Sequence, residues 1–158
     1  MLRILQPDRQ EIPSLHRTDY FRQYAVEPGA VPSRVFMDQS LRGMQNSTRA
    51  YRWSVPFLIV YDERSVVGTI GGKGLMDAES EVELGYNVAL PFRGRGIASR
   101  AIAEMCLLAA SDGLDLLAHV EPENEASRRA LLRNDFRMEA LVRLPDSLDL
   151  ERWSWSPD

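Results

Sequence analysis

Residues 91–103 read Pro-Phe-Arg-Gly-Arg-Gly-Ile-Ala-Ser-Arg-Ala-Ile-Ala, setting Gly94 and Gly96 among Arg93, Arg95 and Arg100. A strand-like run over 82–88 precedes them and a helical run over 97–110 follows. The first turn of a helix leaves its N–H groups without partners, and glycine lets a ligand approach the backbone closely. Strand, glycine turn and helix therefore make a cradle for a phosphate group, to which the arginines would add charge-assisted bonds.

Three glycine-rich motifs compete, and the neighbouring residues separate them. A Walker-type loop needs Gly-Lys-Ser/Thr, and neither Gly94 nor Gly96 is followed by lysine. A dinucleotide fingerprint fits poorly: it needs a third glycine or alanine where Ser99 stands, and an acid about 20 residues further on, where His119 stands. The remaining pattern is Arg/Gln-x-x-Gly-x-Gly/Ala, which Arg93, Gly96 and Ala98 satisfy.

On that pattern the chain resembles the GNAT (Gcn5-related) N-acetyltransferase superfamily, specifically the branch with the ribosomal-protein alanine acetyltransferases. The resemblance covers roughly residues 66–136 and rests on three blocks in order. They are Glu-Val-Glu-Leu-Gly-Tyr at 81–86, the stretch 91–98, and Ala-His-Val-Glu-Pro-Glu-Asn-Glu-Ala-Ser at 118–127. The resemblance implies an enzyme that passes the acetyl group of acetyl-CoA to a primary amine by direct attack on the thioester. The N–H groups of Gly94, Arg95, Gly96, Ile97, Ala98 and Ser99 would cradle the coenzyme A pyrophosphate, each helix-end contact worth about 0.3–1 kcal/mol when exposed. The pantetheine arm would pair, strand-like, with residues 87–90, including Asn87, Val88 and Leu90, with Val88 the chief partner. An N–H near Val88 would polarise the thioester carbonyl. Asn124 and Ser127 match the Asn-x-x-Ser that relatives place along the pantetheine and near the sulfur.

The amine arrives protonated, and a positioned general base is worth roughly 10²–10⁴ in rate. Glu83 stands where several relatives carry that base; Glu81 and His119 are the other candidates. Each has a plainer reading, as a solvent-facing strand glutamate or a hydrogen-bonded structural histidine, and Asn124 is a good helix N-cap in its own right. The match fails at one place. The tyrosine that many members use to protonate the leaving thiolate is Leu131 here, and the usual Gly-Phe is Asp135-Phe136. Thiolate still leaves acceptably near neutral pH, and Ser127 is a candidate substitute. The same departure leaves open a non-catalytic acyl-CoA-binding or sensor module on the same fold, and a nucleotide-binding protein is a third reading. The acceptor, a small molecule or a protein N-terminus, would be held by two N-terminal helices and the 144–150 loop. Tyr20, Tyr24, Glu27, Asp38 and Trp53 are candidate lining residues.

These residues need a sheet and helices to place them. Alternation puts Val82, Leu84, Tyr86 and Val88 on one face of strand 81–88, with Glu81, Glu83, Gly85 and Asn87 on the other. Residues 97, 101, 102, 105, 108 and 109 form an apolar helical stripe that ends at Gly113. Further strands are expected at 2–5, 57–61, 66–72, 114–120, 138–144 and 150–155, with loops at 77–80 and around 145–146. Helices are expected at 10–24, at 34–44 with Val35, Phe36 and Leu41 inward, and at 125–133 with Ala126, Ala130 and Leu131 inward. Residues 46–53 read as loop or frayed helix. The expected class is α+β: a mixed, mostly antiparallel sheet of about six or seven strands with helices on both faces.

A chain of 158 residues, 44% apolar, reads as one domain with a sizeable core. A net charge of −4 disfavours nucleic-acid binding and mildly favours a cationic amine. Cys106 is the sole cysteine, so no intrachain disulfide forms; it reads as a small buried hydrophobe in a reducing compartment. No apolar run reaches the roughly 18 residues of a membrane span, and residues 1–10 lack a signal-peptide block. No cluster has metal-ligand spacing. The expectation is a cytoplasmic protein that uses no metal, binds no membrane and has the option of forming a homodimer.

Overall fold

The densest apolar run, Phe57–Tyr61, forms strand β4 in the computed structural model, which describes residues 1–42, 47–75, 79–143, 145 and 149–158. Its side chains alternate between two cores, with Phe57 and Ile59 on one face of the sheet and Leu58 and Val60 on the other. A strand covered on both faces reads as a continuous apolar run, as this one does. β1 (Leu2–Leu5) and β5 (Ser65–Gly72) flank it antiparallel. The β4–β5 turn is tight, with Asp62 and Glu63 at φ 51° and 55°.

β6 (Glu81–Val88) pairs antiparallel with β5, and β7 (Asp115–Val120) lies parallel to β6. A parallel neighbour requires a crossover, which α3 (Ile97–Asp112) supplies. β9 (Asp149–Trp155) then pairs with β7 and β8 (Arg137–Arg143) with β9, giving the order β1-β4-β5-β6-β7-β9-β8. α4 (Glu125–Leu132) links β7 to β8. The main core lies under α3, where Ile97, Ala101, Ile102, Met105 and Ala109 pack on Val82, Leu84 and Leu116. Cys106 is buried with them, and desolvation pushes its thiol up to about 12, so it is an inert part of the packing.

The α+β class and the mixed, mostly antiparallel sheet are as expected, but among the described residues nine strands join it. The extra two replace the helix expected over 10–24. Only Ile12–His16 winds, as a single 3-10 turn with proline at its start. The chain then forms a small hairpin, β2 (Tyr20–Phe21) and β3 (Tyr24–Val26), turning through Arg22 at φ 53°. Ala25 N donates to Arg64 O and Glu27 N to Val66 O, each at 3.0 Å, so the edge of β5 claims backbone groups that a helix would have paired internally. Tertiary pairing overrides the local apolar pattern here.

Two short helices cover the second core. α1 (Arg34–Leu41) is capped by Ser33, whose Oγ accepts from Phe36 N at 3.2 Å. Its buried anchor is Met37, with Leu41 one turn on; Val35 and Phe36 sit off that line and are 67% and 47% exposed, not inward as expected. α2 (Thr48–Arg52) is capped by Ser47 and lies within 46–53, which reads as loop or frayed helix in the sequence. The expected helix end at residue 44, half of the 77–80 loop and most of the 144–150 loop lie outside the described residues. Among the described residues no helix is long and apolar enough to cross a membrane, and no group of three or more His, Cys, Asp and Glu could hold a metal ion.

Candidate active site

β6 and β7 part company midway. Their ladder joins Glu81 to Asp115, Val82 to Leu116 and Glu83 to Leu117, then stops. On the other edge of β6, Glu83 O accepts from Lys73 N, and Ala89 N donates to Val67 O, each at 2.8 Å. Successive residues in an antiparallel strand direct their backbone groups to alternate edges. The N–H and C=O of Tyr86 and Val88 therefore face the β7 side, where the strands diverge. β5 and β6 also draw close there: a Cβ on Gly68 would collide with Asn87 O. A register shift between Ile59 and Val60 adds local twist at the same end.

A cleft of about 550 Å³ opens beside this unpaired edge, between α3 and α4. Of the residues singled out for binding, Asn87, Val88, Arg93, Gly94, Gly96, Ile97, Ala98, Ser99, Asn124 and Ser127 line it. Gly94 and Gly96 take φ 77° and 73°, a region that favours glycine. Gly96 is the N-cap of α3 and carries no side-chain cap, so the first N–H groups of that helix are left for something in the cleft. A Cβ at either glycine would meet nothing within 4 Å. Backbone conformation, not crowding within the protein, selects glycine at both.

Leu90 and Arg95 do not line the cleft. Leu90 is 74% exposed. Arg95 folds over the Phe92 ring, 5.2 Å from its centroid, and donates to Pro91 O at 3.2 Å. Arg100 likewise lies over Tyr61. Arg93 lines the cleft but is engaged: its Nε donates to Val88 O at 2.8 Å, and its Nη2 is 3.4 Å from Asn87 Oδ1. It clips the end of β6 to the glycine loop, and it takes the Val88 carbonyl while leaving the Val88 N–H. The cations that sequence reasoning missed are Arg129 and Arg133, one turn apart on α4, joined in the lining by Tyr86, Phe92, Ala126 and Ala130. Nothing in the spacing of this arginine-rich helix marks which of its cations face the cleft. Ala126, expected inward, is exposed and lines the cleft.

Asn124 Oδ1 accepts from Ser127 N at 3.1 Å and caps α4, so these two residues form one local unit at the cleft rim. At the far end of α4, Asn134 Nδ2 donates to Ala130 O and Ser99 O, each at 2.9 Å, and ties α4 to the first turn of α3.

Glu83 and His119 lie outside the cleft lining, on the sheet face opposite the α3 core. Glu83 Oε1 is 2.5 Å from Lys73 Nζ and 3.0 Å from His119 Nδ1. Burial pushes the Glu83 carboxyl up, but the Lys73 hydrogen bond and His119 together outweigh it and hold it below the usual carboxylate range. The His119 ring nitrogen is buried and within ion-pairing distance, yet makes no properly angled hydrogen bond. Glu81 is consumed by structure: Arg152 Nη2 donates to both its oxygens at 3.0 and 3.2 Å, and Arg152 Nη1 reaches Glu139 at 3.0 Å.

Two expected acceptor-site residues are core. Tyr24 is buried with the Arg3 guanidinium donating to its hydroxyl, and Trp53 is buried with its Nε1 donating to Asp112 at 2.8 Å. Tyr20 is exposed, Glu27 is half-buried, and Asp38 pairs with Arg34 at 3.8 Å. Asn87 Nδ2 donates to Gly29 O at 2.8 Å, which ties the end of β6 to the N-terminal segment.

The family model described as an acetyltransferase (GNAT) domain matches residues 2–137. The Bacillus subtilis (strain 168) protein named uncharacterized N-acetyltransferase YoaA is 29% identical over 125 residues, covering 77% of this chain and 69% of that protein. Among solved structures, the microcin C7 self-immunity acetyltransferase MccE, in complex with acetyl-CoA and AMP, superposes with a TM-score of 0.69 at 18% identity over 99% of this chain and 92% of its own. RimL, the ribosomal L7/L12 alpha-N-protein acetyltransferase, in complex with coenzyme A, gives 0.68 at 18% identity over 98% and 93%.

Proposed function

The chain belongs to the acetyltransferase (GNAT) domain family, and from that premise we propose that it moves the acetyl group of acetyl-CoA to a primary amine. One observation carries the reading: the open edge of Tyr86 and Val88, the uncapped start of α3 and the cationic wall of α4 all meet in a single cleft. An extended arm ending in phosphates matches that sequence of surfaces. Acetyl-CoA supplies an activated acyl group on a thiolate leaving group.

The chain's own residues supply the rest. The N–H groups from Gly94 to Ser99 hold the pyrophosphate at the positive end of α3, and Arg129 and Arg133 add charge from the facing helix. The Val88 N–H is the donor to the thioester carbonyl, and Arg93 steadies this end of β6 by bonding the carbonyl of the next peptide, Val88 O. Asn124 and Ser127 line the arm near the reacting end. The amine enters from the opposite face of the sheet, where Glu83 and His119 stand. A carboxylate held low by Lys73 is a weak base alone, so His119 takes the proton and Glu83 stabilises the resulting imidazolium. The whole chain acts as one domain in this reading, since β1 and β8 form the two edges of one sheet.

The test is thiol release from acetyl-CoA with a panel of amines: a polyamine, free amino acids and peptides with free N-termini. The expected result is amine-dependent release that Gly96→Asp abolishes together with coenzyme A binding. Tight coenzyme A binding with no turnover on any amine would replace this reading with a sensor. A Gly96→Asp protein that binds coenzyme A normally would refute the pyrophosphate placement.

A further inference from the structure

We propose that the Tyr86 hydroxyl is the proton donor to the departing thiolate. The proposal rests on the acyl-transfer reading above and adds the acid that reading lacks. Leu131, the position where the resemblance leads one to look for a donor, is fully buried and faces the core. Cys106 is buried in the same packing and does not line the cleft. Tyr86 approaches from the other wall. Its ring packs against the α3 core, and its hydroxyl is closed off from solvent without a hydrogen-bond partner. Buried hydroxyls without partners are rare, and one beside a ligand cleft points to a partner that arrives with the ligand.

The position suits the sulfur. Tyr86 and Ser127 both line the cleft, and the Ser127 side chain pulls the phenol down against the larger upward push of burial without making a well-formed hydrogen bond to it. Tyr86 also lies two residues before Val88, whose N–H is the donor to the carbonyl. Donor to oxygen and donor to sulfur would then sit on one strand edge. Burial pushes the phenol above its ordinary range, so it stays protonated throughout the neutral range and is available as a donor while negative charge builds on sulfur. A thiolate is a weaker base than this tyrosinate, so the proton moves as the C–S bond breaks and reprotonation of the tyrosinate draws the step forward.

In the step, the amine nitrogen bonds to the acyl carbon and the C–S bond breaks with its electron pair going to sulfur. The Tyr86 O–H bond breaks as an S–H bond forms. The tyrosinate recovers a proton from water, and the proton lost by the amine leaves through His119. Proton and charge balance without any further reactant.

The experiment compares wild type, Tyr86→Phe and Ser127→Ala on acetyl-CoA and on its oxygen ester analogue, using the amine of the panel that turns over fastest. Tyr86→Phe removes a hydroxyl that makes no well-formed hydrogen bond, so folding and coenzyme A affinity should stay within about twofold, checked by thermal melting and calorimetry. Its kcat on the thioester should fall about 10²-fold with little change in KM. An alkoxide leaves far less readily than a thiolate, so turnover of the oxygen ester should fall at least about tenfold further. Ser127→Ala should lower both esters by the same factor. An unchanged kcat in Tyr86→Phe, or an equal loss on both esters, would overturn the proposal while leaving the acyl-transfer reading intact. Wild-type protein that binds coenzyme A and acetylates nothing would overturn both.

Discussion

Lys73 lies across Gly85 and brings its Nζ to 2.5 Å from Glu83 Oε1, the same oxygen that stands 3.0 Å from His119 Nδ1. A Cβ at Gly85 would sit 3.2 Å from Lys73 Cε, so the absence of a side chain gives the lysine its path along β6. A cation, a carboxylate and an imidazole thus share one small region at the end of the β6–β7 ladder. The lysine holds the carboxylate ionised, and that carboxylate faces the imidazole.

Removing Lys73 tests this coupling. In Lys73→Met, burial is no longer outweighed, and the Glu83 carboxyl should rise toward or above its ordinary value. Because His119 needs an ionised Glu83 beside it, the acid limb of the kcat/KM profile should move to higher pH. Glu83→Gln should lower kcat/KM about 10²-fold, and adding Lys73→Met to it should change little more. Stability follows the same sign. A carboxyl held low in the folded state stabilises it above the unfolded carboxylate value, and that contribution is lost as pH falls through the folded value. Lys73 is half exposed, so the effect on unfolding free energy, read from urea titrations, should stay under about 1 kcal/mol. Superimposable pH profiles for wild type and Lys73→Met would show that Glu83 takes no part in the proton transfer.

Asp135 occupies the left-handed region at φ 62°, immediately before the buried Phe136. This is the place where the resemblance leads one to expect glycine. The turn passes the chain from α4 into β8 and lets Phe136 stack on Trp155, with centroids 6.5 Å apart. An L-residue pays roughly 1–2 kcal/mol for this conformation, somewhat less for aspartate, while glycine loses up to about 1 kcal/mol of extra chain entropy. Asp135→Gly should therefore stabilise the protein by up to about 1 kcal/mol, read as a shift in denaturant midpoint at unchanged slope. Asp135→Val should destabilise it by more than that. A Gly variant no more stable than Asp would mean that the aspartate makes a compensating local contact.

The parts of this fold that could be read from the sequence are those whose periodicity is satisfied by contacts on one side. β6 begins and ends where its alternation does, and the stripe expected on α3 is buried except at the half-buried Leu108, with Cys106 joining it. The glycine loop was legible for a different reason. Its ligand groups are backbone N–H groups, so their positions follow from local conformation at Gly94 and Gly96. What could not be read depends on partners far along the chain. Residues 20–26 become strands because Arg64 O and Val66 O accept from Ala25 N and the adjoining Glu27 N. Glu81 loses its place as a candidate base because Arg152, 71 residues away, binds it. Lys73 gains its role only once β5 and β6 are paired. Arg129 and Arg133 could not be told from the other charges on α4 without knowing which side the cleft occupies. Tyr86, by contrast, shows the same alternation as Val82 and Leu84, and its hydroxyl becomes informative only when it is seen to lack a partner.

The two walls of the cleft are held together by one side chain whose removal should separate affinity from fold. Asn134 Nδ2 donates to Ser99 O at 2.9 Å and lies 3.2 Å from Ser99 Oγ, while also bonding Ala130 O at 2.9 Å. Ser99 belongs to the first turn of α3, whose N–H groups carry the proposed pyrophosphate site; Ala130 belongs to the opposite wall. Asn134→Ala deletes a part-buried donor and leaves two carbonyls to water, a cost of about 1–2 kcal/mol in stability. The walls should then move relative to each other, and coenzyme A affinity by calorimetry should fall about tenfold, since that is the equivalent of about 1.4 kcal/mol. Asn134→Asp loses the same donor and adds a negative charge beside the phosphate-binding turn, so its affinity should fall further. That extra loss is electrostatic and should shrink as salt rises from about 0.05 to 0.5 M, while the loss in Asn134→Ala should not. An Asn134→Ala protein with wild-type affinity would show that helix packing alone sets the width of the cleft.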